Sequence, residues 1–166
     1  MPYYSVEDQG FWDIGPESMH WMKVVADAIN VKFARFPLGD PEDDDTPFAS
    51  VLFMPPNYEL WRHKHSCYRF EAILRGTINV DGRELGPGCI MTSAPHEAYG
   101  PYFVGPEGCM TIEIFSARSG VGTILDDDTD PRAVEFLRSL LVDADPQRRA
   151  AAEIAFADAG LRPDQQ

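Results

Sequence analysis

The sequence has few cysteines, and their spacing excludes a disulfide-built protein. There are three, Cys67, Cys89 and Cys109, an odd number without any CxxC pair. Such an arrangement is typical of reduced thiols in a cytoplasmic protein.

Long hydrophobic runs and an export signal are also missing. No apolar run reaches the ~18 residues that a membrane-spanning helix needs. The N-terminus, MPYYSVEDQGFWDIG, has neither a basic start nor an apolar core of signal-peptide length. We therefore expect a soluble, cytoplasmic protein.

Positive charge is scarce as well. The chain has 14 Lys and Arg against 27 Asp and Glu, which gives a formal net charge of −13. A field of that sign repels phosphate backbones and anionic membrane surfaces, so nucleic acid and membrane are excluded as expected partners. The acidity itself indicates a well-solvated surface.

Turn-forming residues are abundant, with 14 Pro and 13 Gly in a chain of 166 residues, about one domain in length. Short β-prone runs separated by turn signals then predict an all-β sandwich or barrel. The runs are FASVLFM, YELWRH, CYRFEAIL, TINV, REL, CIMT and CMTIEIF. The predicted turns are Pro55-Pro56-Asn57, Arg75-Gly76, Asp81-Gly82, Gly86-Pro87-Gly88 and Gly105-Pro106-Glu107-Gly108.

The composition divides the chain into four regions. They are an aromatic N-terminal arm (1–36), an acidic proline-rich loop (37–47), the predicted barrel (48–124) and a C-terminal helical extension (125–166). In the arm, residues 32–36 alternate like a strand, whereas residues 19–30 fit either a helix or a strand.

The C-terminal extension predicts two helices. In the first, Asp128 or Thr129 is the expected cap, with Pro131 in the first turn. The second is predicted from Pro146 to Ala159. Such a pair is expected to pack on the outside of a barrel or on a second subunit, not to take part in chemistry.

The most informative motif is WRHKH at residues 61–65. Side chains on a strand alternate between faces, so His63 and His65 are predicted to project to the same side, roughly 6 to 7 Å apart. Two neutral imidazoles at that spacing can bind one ion of the first transition row.

A metal site needs a third ligand from elsewhere, and His96 is the candidate. It follows the Gly86-Pro87-Gly88 turn, where a returning hairpin can bring it against His63 and His65. The remaining histidine, His20, lies in the aromatic arm and is predicted to be a packed or surface residue.

The spacing of these residues resembles the two sequence motifs of the cupin superfamily. His63 and His65 match the paired histidines, Gly76 the turn glycine, Pro87-Gly88 the PG turn and His96 the late histidine. The resemblance implies a double-stranded β-helix, or jelly-roll, barrel with one divalent metal ion, and it covers about residues 48–116. It also implies a homodimer.

One position departs from the family pattern. Arg69 stands where the family usually has its glutamate ligand, and a guanidinium cannot bind a metal. Glu71 is predicted to point to the same interior face two residues further on. It is a long-reach ligand, an acceptor for a ligating histidine, or the ion-pair partner of Arg69, and the sequence leaves these three open.

Other side chains near the motif have weaker predicted roles. Tyr99 and Tyr102 either offer a phenol to a bound substrate or close the mouth of the barrel. Cys67 is predicted to pack as a small buried residue instead of ligating metal.

The resemblance implies an Fe(II)-dependent dioxygenase that acts on a small organic substrate through a three-histidine site, with Arg69, Glu71 and Tyr99 as candidate catalytic residues. Arg69 is expected to bind an anionic substrate group through its planar fork. The alternatives are a Zn-, Mn- or Ni-dependent isomerase, lyase or hydrolase, and a non-catalytic ligand-binding or sensor protein.

Overall fold

The computed structural model describes residues 1–161, which form seven strands and three α-helices. The strands are β1 (Lys32–Pro37), β2 (Phe48–Met54), β3 (Glu59–Leu60), β4 (Arg69–Val80), β5 (Arg83–Leu85), β6 (Ile90–Ser93) and β7 (Tyr102–Phe115). The helices are α1 (His20–Asp27), α2 (Pro131–Leu141) and α3 (Pro146–Asp158). Short 3-10 turns lie at Phe11–Asp13, Glu17–Met19 and Arg118–Gly120.

All strand pairs are antiparallel, which confirms the all-β prediction. The sheet runs in the order β1-β2-β7-β4-β5, with β3 also paired to β7 and β6 to β4. Strand β1 lies within the predicted N-terminal arm, but it pairs with β2 from Lys32↔Phe53 to Pro37↔Phe48 and so forms one edge of the sheet.

Two of the predicted turns are wrong, because they lie inside long strands. Arg75-Gly76 belongs to β4 and Gly105–Gly108 to β7, and the two strands pair with register shifts at this point. Gly76 has a φ of 76°, and a Cβ there would stand 1.9 Å from the carbonyl oxygen of Gly108. The glycines therefore mark an irregularity in a continuous ladder instead of a chain reversal. By contrast, Asp81-Gly82 forms the predicted hairpin turn, with positive φ at both residues.

The helical predictions hold with small corrections. Residues 20–27 are helical, which answers the question that the sequence left open in the arm. Asp130 caps α2 by accepting a hydrogen bond from the amide of Arg132, so the predicted cap at Asp128 or Thr129 is wrong. Pro131 then occupies the first helical position, where its missing amide hydrogen costs nothing.

The three helices form one layer. An apolar cluster joins Val25 of α1 to Leu137 of α2 and Phe156 of α3. Within residues 1–161, no helix is long and apolar enough to cross a membrane.

Candidate functional site

His63 and His65 lie on the extended connection between β3 and β4, outside the seven strands. His63 bridges to Tyr99 and Lys64 bridges to Ile124. The predicted alternation still holds, because His63 and His65 line one cavity whereas Lys64, which is also buried, is absent from its wall and pairs elsewhere. There its ammonium group lies 2.6 Å from a carboxylate oxygen of Asp126.

The two imidazoles are held in one tautomer. Their ring centroids are 5.2 Å apart. Nδ1 of His63 lies 2.7 Å from the carbonyl oxygen of Trp61, and Nδ1 of His65 lies 3.1 Å from that of Gly122. Because a carbonyl oxygen can only accept, each Nδ1 carries the proton and each Nε2 is an acceptor.

Burial keeps both rings neutral. It lowers the pKa of His63 to about 3, with a further contribution from neighbouring His65. Burial, followed by the positive charge of Arg69, lowers the pKa of His65 to about 4. At neutral pH the site therefore contains two uncharged imidazoles.

A buried ion-pair network lies beside the histidines. Nε of Arg69 donates to Oε1 of Glu113 at 2.7 Å, and Nη2 of Arg69 contacts Oε2 of Glu71. The sequence left three roles open for Glu71. In the structure, Glu71 is the ion-pair partner of Arg69. The predicted role of Arg69 as a clamp for an anionic substrate does not fit, because two carboxylates already engage a side chain that is only 1% exposed.

Glu71 is the carboxylate of this network whose negative charge is least well compensated. Its pKa is raised to about 7, because burial outweighs the opposing effect of Arg69 and Glu113 adds to the upward shift. Its Oε1 has no hydrogen-bond partner among the described residues. One guanidinium thus serves two buried carboxylates, and Glu71 holds a proton below about pH 7.

Tyr99 connects the histidines to this network. Its hydroxyl lies 2.9 Å from Nε2 of His65, which is the acceptor in that hydrogen bond. Its ring lies 4.2 Å below the guanidinium carbon of Arg69, and burial raises its pKa. The phenol of Tyr99 is therefore neutral, and it is held by His65 at its hydroxyl and by Arg69 over its ring.

The structure does not bring His96 into this cluster. His96 is exposed and has a φ of 63°, and its backbone amide, not its ring, meets His65 by donating to the carbonyl oxygen at 2.8 Å. In the part of the chain from 1 to 161, no group of three or more His, Cys, Asp and Glu side chains is placed to hold a metal ion.

The residues present therefore do not fit the three-ligand metal centre that the motif implied. His63 and His65 supply two neutral donors, but Tyr99 already occupies Nε2 of His65. At the position of the family's carboxylate ligand stands Arg69, a guanidinium that cannot bind a metal and that pairs with Glu71 and Glu113.

Of two other side chains near the motif, Cys67 packs as a small buried residue as predicted, whereas Tyr102 lies in the core instead of closing the mouth of the barrel. Cys67 packs with Phe48 and Phe115 in a buried apolar cluster. Tyr102 is 3% exposed and belongs to the main hydrophobic core.

A cavity of about 230 Å³ opens against the histidines. His63, His65 and Glu113 form part of its wall, and aliphatic and aromatic side chains form most of the rest. The helices contribute Trp21, Leu137 and other residues to this wall. The helices therefore close the space in front of the histidines, a position that the sequence analysis did not predict.

Glu113 and the helical wall are the features that the sequence analysis missed. Glu113 lies on β7 directly across from Glu71 in the β4–β7 pairing. A signal was present, because Glu113 shares one face of CMTIEIF with Cys109, Thr111 and Phe115, and a carboxylate on an otherwise inward face needs a partner.

Comparison with known proteins gives matches to solved structures alone. No family model matches this sequence, and no curated protein matches it. An RmlC-like cupin from Shewanella frigidimarina is 24% identical over 52% of this chain and 76% of its own, with a TM-score of 0.41. An acetylacetone dioxygenase from Acinetobacter johnsonii is 14% identical over 77% of this chain and 81% of its own, with a TM-score of 0.49.

A third match is the complex of Rhodobacter sphaeroides SigE with the anti-sigma factor ChrR. It is 19% identical over 51% of this chain, with a TM-score of 0.43, and this chain spans 44% of the length of that one. All three matches have identities below 25% and TM-scores below 0.5, so they describe what this chain is similar to and nothing about its function follows from them.

Proposed function

We propose that this cupin-type protein binds a small, largely apolar organic molecule in the cavity in front of His63 and His65, without a divalent metal ion. The observation that supports the proposal is the cavity of about 230 Å³ itself, apolar over most of its wall and polar where His63, His65 and Glu113 meet it. A well-formed apolar pocket with a few converging polar groups is the usual form of a small-molecule site.

The apolar and the polar parts of the cavity wall contribute differently to binding. The aliphatic and aromatic part supplies affinity, because each square ångström of apolar surface removed from water contributes about 25 cal/mol. The polar part fixes orientation, since His63 and His65 are held by backbone carbonyls and Tyr99. Arg69 and Glu71 keep this end rigid from behind the cavity wall, and their partner Glu113 is the member of the network that lines it.

The Fe(II) dioxygenase that the motif implied is the second candidate. It is favoured by one observation, the hydrogen bonds that hold Nδ1 of both histidines and direct each Nε2 inward as in metal-binding imidazoles. It needs a third donor, for which His96 would have to leave its exposed position. Zn, Mn or Ni in the same place requires the same rearrangement.

Filling the cavity tests the binding proposal. Ala155 lines the wall from α3, and Ala157 lies exposed on the same helix. We expect 3-phenylpropan-1-ol to bind the wild type in isothermal titration calorimetry, Ala155→Phe to weaken it at least about tenfold, and Ala157→Phe to leave it unchanged. Val25→Phe fills the same space from α1 and gives a second test if Ala155→Phe does not fold. If folded Ala155→Phe and Val25→Phe bind the alcohol as tightly as the wild type does, the cavity is not the binding site.

Metal content separates the two candidates. Protein purified without chelators and then given one equivalent of Fe(II) under anaerobic conditions is expected to retain substoichiometric iron after gel filtration. One equivalent of iron, lost in His63→Asn and in His96→Asn, would overturn the metal-free proposal and establish the three-histidine centre.

A further inference from the structure

The ionisable groups that line the cavity are all neutral or acidic. The carboxylates of Glu113 and Asp158 lie in the wall together with the neutral imidazoles of His63 and His65. Among the described residues that form this wall there is no lysine or arginine. Arg69 compensates the charge of Glu113 from behind the wall. An anionic ligand therefore finds no free cation in the wall, whereas a cationic ligand can meet the charge of Asp158.

His63 presents an acceptor to this space. The residue is 9% exposed, and its Nδ1 is already engaged by the carbonyl oxygen of Trp61. Its Nε2 has no hydrogen-bond partner within residues 1–161. Because Nε2 lacks a proton in this tautomer, a ligand group that satisfies it must donate a hydrogen bond.

Asp158 is a second acidic group in the same wall, at a position that is open to solvent. It ends α3, and its carboxylate packs against Gly122, where a Cβ would stand 1.7 Å from Oδ2. No basic side chain in the described part of the chain forms an ion pair with it. Partial desolvation raises the pKa of this carboxyl group, and a nearby cation would oppose that shift by stabilising the ionised form.

The nearby Arg69 cannot supply that cation. Its guanidinium is engaged by Glu71 and Glu113 and is absent from the cavity wall. Trp21 and Tyr58, which line the cavity, add aromatic faces that attract a positive charge.

We propose that the cavity selects a small molecule with an apolar body and a protonated amine at one end, which donates to Nε2 of His63 and pairs with Asp158. This inference rests on the proposed function, since it names the class of ligand that the cavity takes. It replaces the expectation of an anionic substrate.

Three probes with one body and different ends test the inference: 3-phenylpropylamine, 3-phenylpropan-1-ol and 3-phenylpropanoate, titrated calorimetrically into the wild type at pH 7. We expect the amine to bind most tightly, roughly three- to tenfold better than the alcohol, and the carboxylate to bind least. If the carboxylate or the alcohol binds as well as the amine, the inference is wrong while the cavity proposal stands. If none of the three binds, both fail.

Matched variants on one helix locate the charge. Asp158→Asn is expected to remove the advantage of the amine over the alcohol. Glu153→Gln makes the same change of charge at an exposed position of α3 outside the cavity wall and is expected to alter neither affinity. A preference for the amine that survives intact in folded Asp158→Asn would overturn the role of that carboxylate.

Discussion

Two arginines of this protein each lie between two carboxylates, in opposite environments. Arg69 pairs with Glu71 and Glu113 in the interior, with 1% of its side chain exposed. Arg132 pairs with Glu59 and Asp130 at the surface, with 49% of its side chain exposed. The same set of groups therefore occurs once in a medium of low effective dielectric and once in water.

The difference shows which ion pairs determine this structure. At the surface, water screens the charges and replaces a lost partner, so such pairs contribute little. In the interior, water is excluded, and removal of one charge leaves the others desolvated without compensation. The Arg69 network is thus needed to keep Glu71 and Glu113 buried, whereas the Arg132 pairs are dispensable.

Arg69→Met gives the largest expected effect. It leaves two buried carboxylates without a counter-charge, and we expect the free energy of unfolding to fall by roughly 3–5 kcal/mol. Urea denaturation followed by circular dichroism measures this. Arg132→Met is the matched control and is expected to cause no measurable change in the denaturation midpoint. Similar midpoints for the two variants would contradict the comparison.

The buried histidines give the next largest effect, and it depends on pH. The pKa values of His63 and His65 are lowered from 6.5 to about 3 and about 4 in the folded protein. Below pH 6.5 the two imidazoles become protonated in the unfolded chain, whereas they stay neutral in the folded protein until the pH approaches their lowered pKa values. This contribution to stability is therefore complete above pH 6.5 and is lost as the pH falls towards 3.

The double variant His63→Asn/His65→Asn isolates that contribution. Between pH 7 and pH 5 we expect the melting temperature of the wild type to fall further than that of the variant, by on the order of 5–10 °C. His20→Asn is the control, because His20 is exposed. Parallel pH profiles for the double variant and the wild type would show that the two imidazoles titrate normally.

Glu71→Gln gives the smallest of the three effects and has the opposite sign. The pKa of Glu71 is raised from 4.5 to about 7, so its contribution to stability is complete below pH 4.5 and is lost as the pH rises through 7. From pH 5 to pH 8, Glu71→Gln is expected to gain on the order of 1–2 kcal/mol relative to the wild type. Glu84→Gln, at an exposed position of β5, is expected to show no such trend.

Several features followed from local patterns in the sequence. Alternation along an extended chain put His63 and His65 on one side and predicted that Arg69 and Glu71 share an inward face. The Asp-Gly dipeptide identified the hairpin at residues 81–82, and Pro131 indicated the start of α2. Each of these depends on dihedral preferences and side-chain periods within a few residues.

Only the tertiary structure decided what faces the histidines. Pairing of β4 with β7 brought Glu113 to Glu71, and packing of α1, α2 and α3 closed the cavity. The chain around His96 left that residue exposed and outside the cluster of His63 and His65. These outcomes depend on contacts between residues far apart in the chain, whose register no local period can specify, so the sequence determined the pair of histidines but not their partners.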